Sequence, residues 1–390
     1  MSNKTILIVF VYLVLTSISY SNEKLKVFYS GFSFSNNYES NKLFSKYTKK
    51  IVGEIESNKK IDIISNNLLK ELKRTKFKNI DLDKENLLDF NKYPDNAVVM
   101  SVVMQHEEFS QEYNNSTKKY LGFYDSYFQI LFYDFSDKNL IASIPFEFEI
   151  PMLADKKFNE IEVLNRIKLF YLNDNPFREL VKTINQFNIK RKYDLRIGVT
   201  NVKIEDRALE NMPENTRKYI HSMKNLIAQT FSKRLSKNHN VAIVPYTEGQ
   251  SIGGAMKLIF VRSDTIYDIK IPNPDYHINI DIRGFKKVLG QSTAVEDLYL
   301  YGSFINLEIY QPDLNKSYFN ERLRGVTRVK IPKGQTDVND WRKYYYNLEI
   351  LFDNFTKNIT SQNQKWMKET SKNKIKKKLK NLKPIIEKLK

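Results

Sequence analysis

The chain is 390 residues long and 41% apolar, which is enough to build real cores in two or three domains and excludes an intrinsically disordered protein. It has no cysteine, so disulfide scaffolds, thiolate metal sites, thiol nucleophiles and a lipid-bearing cysteine are excluded together. A formal charge of +18 points to an anionic partner, whether nucleic acid, a phosphate-rich membrane face or an acidic protein.

Residues 1–21 read as a secretory signal peptide. Lys4 is the positive start, Ile6 to Leu15 the apolar core, and Ser19 and Ser21 the small residues before a cleavage point near Asn22. The apolar run is shorter than the roughly twenty residues a spanning helix needs. The expectation is therefore an exported, periplasmic protein, soluble once processed, and nucleic acid is not expected as a partner there. Tyr (24) and Phe (25) far exceed Trp (2), which favours a large β component.

In the first half, Leu25 to Ser35 places Phe28, Phe32 and Phe34 on one parity, as a half-buried strand does. A helix is predicted over 41–57 from Leu43, Tyr47, Ile51 and Ile55, with Ser40 or Asn41 as cap. Ile61 to Ile64 reads as a short strand and 66–93 as one or two short helices. Ala97 to Met104, Tyr120 to Phe135 and Leu140 to Ile150 read as antiparallel strands, closed by Pro151. Glu160 to Asn188 reads as a helix broken at 173–176, and the basic run Lys190 to Lys192 marks the domain boundary.

The second half repeats this order. Leu195 to Val202 is a strand, and the helix predicted over Arg217 to Lys237 aligns Ile220, Met223, Ile227, Phe231 and Leu235 on one face. Val241 to Pro245 is the next strand, and 247–274 is an insert with no counterpart pattern. Strands over Tyr276 to Leu289, Leu298 to Tyr310 and Tyr318 to Ile331 precede a closing helix, Val338 to Ile359. The most specific local match between the halves is Tyr133 to Lys138 against Tyr310 to Lys316. The fold class expected is α+β: two tandem similar domains at 22–189 and 193–360, each a mixed or antiparallel sheet packed with long helices, plus a basic helical tail at 361–390.

This order of elements resembles the amino-terminal domain of TolB and the related curli secretion and flagellar T-ring proteins. The resemblance is one of pattern over 25–189 and 193–360, with no diagnostic motif. It implies periplasmic docking and assembly modules rather than enzymes. The chain departs from the group in lacking a lipidation cysteine and any propeller repeat.

Motifs for chemistry are sparse. His106, His221, His239 and His277 are scattered, and none has the spacing of a metal pair. In His106-Glu107-Glu108 only His106 and Glu108 share a strand face, and a solvated strand end is the expectation. Glu147 and Glu149 also share a face and suit acid and base roles, but read as a solvent face opposite Phe146 and Phe148. The loop carrying Gly249, Gly253 and Gly254 follows a strand as a phosphate cradle does, yet lacks the Gly-Lys-Ser/Thr ending and reads as a variable loop. No catalytic, metal or cofactor site is expected.

The tail is the exception. From Lys365 to Lys390 there are eleven lysines and two acids, with an apolar stripe interrupted by Pro384. Lys374, Ile375, Lys376, Lys377, Lys378, Leu379, Lys380 and Leu382 are the candidate contacts to an anionic membrane surface or to an acidic partner groove. The function expected is a non-catalytic envelope protein that docks partner proteins. The alternative is a subunit of an oligomeric outer-membrane export, flagellar or pilus-type assembly, with Leu121 to Phe135 and Leu140 to Ile150 refolding into spanning strands. An enzyme of unknown reaction stands third.

Overall fold

The computed structural model describes residues 24–35, 45–53, 55–56, 59–60, 63–85, 88–173, 176–246, 254–261, 266–335 and 337–390. The signal-peptide segment and Gly249 and Gly253 lie outside these residues. The first half runs β1 (Leu25–Ser35), α1 (Lys46–Gly53), β2 (Ile55–Glu56), β3 (Lys59–Lys60), α2 (Ile63–Arg74), β4 (Ile80–Leu82), β5 (Val98–Asn114), β6 (Lys119–Asp134), β7 (Leu140–Ala154), α3 (Glu160–Asn173) and α4 (Phe177–Ile184). The second half begins with β8 (Ile197–Ile204), α5 (Asp206–Leu209), α6 (Glu214–Lys218), α7 (Ile220–His239), β9 (Ala255–Phe260) and β10 (Ile266–Lys270). It continues through β11 (Tyr276–Ser292), β12 (Glu296–Gln311), β13 (Lys316–Pro332), α8 (Asp340–Ser361), α9 (Gln364–Thr370) and α10 (Lys376–Lys388).

The fold is α+β, built on a seven-stranded and a four-stranded mixed sheet, with β2 and β3 forming a small separate ribbon. The first sheet has the order β10-β9-β1-β5-β6-β7, with β4 also on β1, and the second the order β13-β12-β11-β8. Within each, one strand pairs in parallel with the first arm of an antiparallel meander: β1 with β5, and β8 with β11.

The two halves share their irregularities as well as their order. Between β1 and β5 the register skips Ser30, and between β8 and β11 it skips Thr200, each just after the third pair. The β5–β6 ladder skips Gln105 and the β11–β12 ladder skips Arg283. The β6–β7 ladder skips Ile141 and the β12–β13 ladder skips Tyr318. A bulge bends its strand and re-aims side chains, so bulges shared at matching positions mean sheets that bend alike. Glycine follows two of the skipped residues: Gly31 at φ 123° and Gly284 at φ 157°, where a Cβ is strained. The tyrosines of the predicted local match also correspond, since Tyr133 pairs with Val99 and Tyr310 with His277.

Four layers result. Helices α1 to α4 cover one face of the first sheet through a core that includes Tyr29, Phe128, Ile167 and Leu180. The inward stripe of α7, with Ile227, Phe231 and Leu235, meets Leu348 and Phe352 of α8 and Ile278 and Ile305 of the second sheet. Tyr127 of β6 joins that same core from the first sheet, so α7 and α8 lie between the two sheets. The remaining face of the second sheet is open.

Several expectations need correction. Of the strand expected over Ile61 to Ile64, residues 61–62 lie outside the described residues and Ile63 and Ile64 open helix α2; the short strand of this region is β4, Ile80–Leu82, parallel to β1. Helix α1 ends at Gly53, and Ile55 belongs to β2. Residues 88–93 are helical only in the single turn Phe90–Lys92, and Leu87 lies outside the described residues. Pro151 does not close the first sheet: β7 continues to Ala154, and an edge strand tolerates the missing N–H. The segments Leu121 to Phe135 and Leu140 to Ile150 form the β6–β7 side of the first sheet, with Ile130, Phe132 and Ile144 fully buried.

The insert is the largest difference. Its strand β9 pairs antiparallel with β1, from Ser33 opposite Phe260 to Ser35 opposite Leu258, and β10 pairs with β9. A segment from the second half thus completes the first sheet. Met256, Leu258, Phe260 and Ile269 bury Phe28, Val99 and Tyr133 on the face opposite the helices.

Candidate functional site

The junction between the halves is ionic. In β6 and β7, Asp125 faces Glu149 and Tyr127 faces Glu147 across the ladder, so all four side chains share the face that α7 and α8 cross. Lys233 of α7 pairs with Glu147. Arg342 at the start of α8 reaches Asp125 and Glu149, each at 2.8 Å, and its guanidinium lies 3.9 Å from the Phe123 ring centre. Lys343 reaches Glu112 at 2.7 Å, and Arg234 lies 3.8 Å from Glu147 and 3.9 Å from Glu349. Burial and the neighbouring Arg234 lower Lys233 to about 7. Burial raises Glu349 and Glu149. Glu147 is therefore enclosed rather than solvated, while Glu149 keeps a half-exposed side chain; the other half of the chain brings a cation to each.

His106-Glu107-Glu108 divides as strand parity requires, but around it the solvent is replaced by helices. Glu107 points toward α1, where its carboxylate accepts from Tyr47 N at 2.6 Å, Thr48 N at 3.2 Å, Thr48 Oγ1 at 2.7 Å and the Tyr124 hydroxyl at 2.6 Å. This carboxylate caps the helix from a neighbouring strand, satisfying N–H groups that the first turn leaves without partners. Burial pushes its pKa up while those donors pull it down. His106 and Glu108 line a cavity of about 310 Å³ under α7, with Tyr47, Tyr219 and Met223. Burial lowers His106 to about 4, and burial with the charge of Asp125 raises Glu108 to about 7.

The open face of the second sheet has two parts. Near β8 lies a cleft of about 690 Å³ between that face and the chain segment 271–275, with Gly254 at its rim. Of the three loop glycines read in the sequence, Gly254 is the described one, and its carbonyl accepts from Ile271 N at 2.6 Å to fix the start of the β9–β10 hairpin. His277 Nδ1 lies 3.2 Å from the Tyr310 hydroxyl in the cleft. Glu308 accepts from Asn279 at 3.1 Å and from Asn320 at 3.0 Å, a polar row across three strands. Toward the other end of the same face the residues turn apolar and basic.

The tail does not present its apolar stripe. Ile375, Leu379 and Leu382 are buried in the second core, and α10 packs on α8 and β13. Pro384 sits inside α10 without ending it. Lys378 pairs with Glu321 and reaches the carbonyl of Asn320 at 3.3 Å, and Thr370 Oγ1 donates to the carbonyl of Arg324 at 2.8 Å. Both carbonyls lie on β13, the outer strand of its sheet, so α9 and α10 shield a strand edge. Lys374, Lys376, Lys377 and Lys380 remain exposed as a cationic ridge. The predicted contact set is thus split, its lysines outside and its aliphatic residues inside.

Sequence reasoning missed the junction pairs Arg342–Asp125 and Lys233–Glu147. The available signal was the run of outward acids on β5 and β7 facing no basic residue of their own half.

No family model matches the chain, and no curated protein matches it. Solved structures superpose weakly. A hemagglutinin homolog assigned as neuraminyllactose-binding, from Helicobacter pylori, gives a TM-score of 0.25 at 12% identity over 42% of this chain and 85% of that one. A protein of family DUF330 from Xanthomonas campestris gives 0.20 at 11% identity over 42% and 81%. A minor lipoprotein from Acinetobacter baumannii gives 0.20 at 12% identity over 45% and 98%. Scores this low carry no argument about function.

Proposed function

We propose that the chain is an exported, non-catalytic protein of the bacterial cell envelope that docks partner proteins on the open face of its second sheet. The observation that carries this reading is an asymmetry between matching surfaces. The outer face of the first sheet is occupied by α7 and α8, while the corresponding face of the second sheet, with the same bulges, faces solvent. The first sheet is a worked example, within the chain, of what this kind of face accommodates. The resemblance of the element order to periplasmic docking modules belongs with the same reading, as does the leader-like segment at 1–21. The acids best placed for acid and base roles, Glu147 and Glu149, are engaged by Lys233 and Arg342, which favours a structural use for them.

The test is site-specific photo-crosslinking in cells together with fractionation. Photoreactive residues at Asn306 and Val326, on the open face, are expected to capture a discrete envelope protein, and one at Lys156 is not. The chain is expected in the periplasmic fraction. Diffuse labelling indistinguishable between the sites, or a cytoplasmic chain, overturns the reading.

A further inference from the structure

Residue-by-residue correspondence of the two sheets identifies the chemistry of the missing occupant. The shared registers match Glu108 to Lys286, Glu147 to Arg324, and Tyr127 to Phe304. They also match Glu149 to Val326, and the uncharged Pro145 and Pro151 to Arg322 and Arg328. On the first sheet this patch carries acids around an aromatic centre and receives the cations Lys233 of α7 and Arg342 of α8. On the second sheet it carries cations around an apolar centre formed by Val288, Leu300, Phe304 and Val326.

These side chains share one face because Val288 pairs with Leu300, Phe304 with Arg324, and Leu300 with Arg328. Val288 is 42% and Val326 56% exposed, although both lie within strands. Contiguous exposed apolar surface with a charged rim marks a binding surface more often than a bare sheet face. Lys286, Arg322 and Arg328 are exposed and form no ion pair with the described residues. Arg324 is anchored, its Nε donating to the carbonyl of Glu369 at 2.7 Å, so its guanidinium is held over the edge of the patch.

Resting on the docking reading above, we infer that this patch binds an acidic amphipathic helix of a partner protein. The helix would lay a stripe of aliphatic residues on Leu300 and Phe304, with glutamates or aspartates toward Arg322, Arg328 and Lys286. The arrangement is the charge-reversed counterpart of α8 on the first sheet, where Arg342 bridges two carboxylates and stacks on Phe123. Charge complementarity of this kind steers encounter and rejects like-charged surfaces. In a second copy of this chain α7 and α8 are already enclosed between its own two sheets, and the exposed face of its tail helix α10 is lysine-rich, which the cationic rim repels.

The test uses the full mature chain and three probes: a fluorescent helical peptide with a leucine stripe flanked by glutamates, the same peptide with lysines for glutamates, and phosphatidylglycerol vesicles. Saturable binding of the acidic peptide is expected, weakened by salt and reduced about tenfold or more by the double substitution Arg322→Glu and Arg328→Glu. The lysine peptide is expected not to bind. Both arginines are exposed, so unchanged circular dichroism and melting will confirm that the variant is folded. Acidic-peptide binding that survives the double reversal, absence of saturable binding, or vesicle binding with the same arginine dependence in place of peptide binding overturns the inference. Crosslinks at Asn306 or Val326 that persist while the peptide fails would retain the docking reading and remove only this assignment of the partner.

Discussion

Glu107 is the side chain whose removal has the most legible cost. Replacing it with alanine leaves Tyr47 N and Thr48 N facing a space without an acceptor, leaves the Tyr124 hydroxyl only Thr48 Oγ1 at 3.2 Å, and removes the cap of α1. Unpaired buried donors cost about 1–3 kcal/mol apiece, partly relieved by water. Glu107→Ala is expected to lower unfolding stability by about 3 kcal/mol in urea titration, and Glu107→Gln by less, because the amide retains one acceptor oxygen.

His106 and Glu108 pull the pH dependence of stability in opposite directions. Glu108 is raised from 4.5 to about 7, so the native state holds its proton more tightly. Its contribution is fully present below pH 4.5 and is lost as pH rises through about 7. His106 is lowered from 6.5 to about 4, so the native state favours the neutral ring; its contribution is present above pH 6.5 and lost as pH falls toward 4. The two slopes oppose each other between pH 4.5 and 6.5. His106→Asn is expected to unmask a fall in stability from pH 5 to 7, and Glu108→Gln a rise over the same interval, each on the order of 2–3 kcal/mol by urea titration. A variant pair with parallel pH curves contradicts this. Strand parity alone separated Glu107 from its two neighbours correctly. Their surroundings were not legible, because the helix that encloses His106 begins more than a hundred positions later in the chain.

At the scale of elements, the tail is a wall of the second core. Leu379→Ala removes a fully buried side chain from the contact of α10 with α8 and is expected to cost about 2–5 kcal/mol, read as a lower melting temperature and urea midpoint. Replacing Lys374, Lys376, Lys377 and Lys380 together with glutamine is expected to leave stability within about 0.5 kcal/mol, since these side chains are exposed. Equal losses from the two variants would contradict this division. The sequence showed the apolar stripe correctly but not what it faces: an amphipathic helix has the same spacing whether it covers a membrane, a partner or its own β-strand. Elements with strong periodicity and local closure were legible for the opposite reason. The stripe of α7 and the hairpin between β12 and β13 are set by neighbours in the chain, whereas β9 and β10 take their identity as sheet strands from β1.

At the scale of the molecule, the halves are tied by Arg342, Lys233 and Lys343 across the junction and by β9 and β10 in the first sheet. They are therefore expected to unfold as one unit. Both tryptophans, Trp341 and Trp366, lie in the second half, so their fluorescence follows that half while far-ultraviolet circular dichroism follows both. Coincident urea transitions by the two probes are expected for the intact chain. Arg342→Ala, which leaves Asp125 and Glu149 without their shared cation, is expected to lower the common midpoint or split the transitions. Separate midpoints in the unmodified chain would show independent halves. The order of elements along each half was legible because it repeats; the exchange of a hairpin between halves was not, because a strand pairing over more than two hundred positions leaves no local pattern.

The β9–β10 hairpin also places a clock on synthesis. When the ribosome has finished β7, α1 and α2 are made and α3 and α4 follow directly, but the first sheet still lacks the strands that bury Phe28, Val99 and Tyr133. That apolar face waits until the chain has been made through Lys270, an interval of roughly ten seconds at typical elongation rates. During it the nascent half is unfinished, and exposed β1 is a strand edge open to any other chain. Under the export proposed above, this delay keeps one face of the first sheet from closing until the β9–β10 hairpin is made.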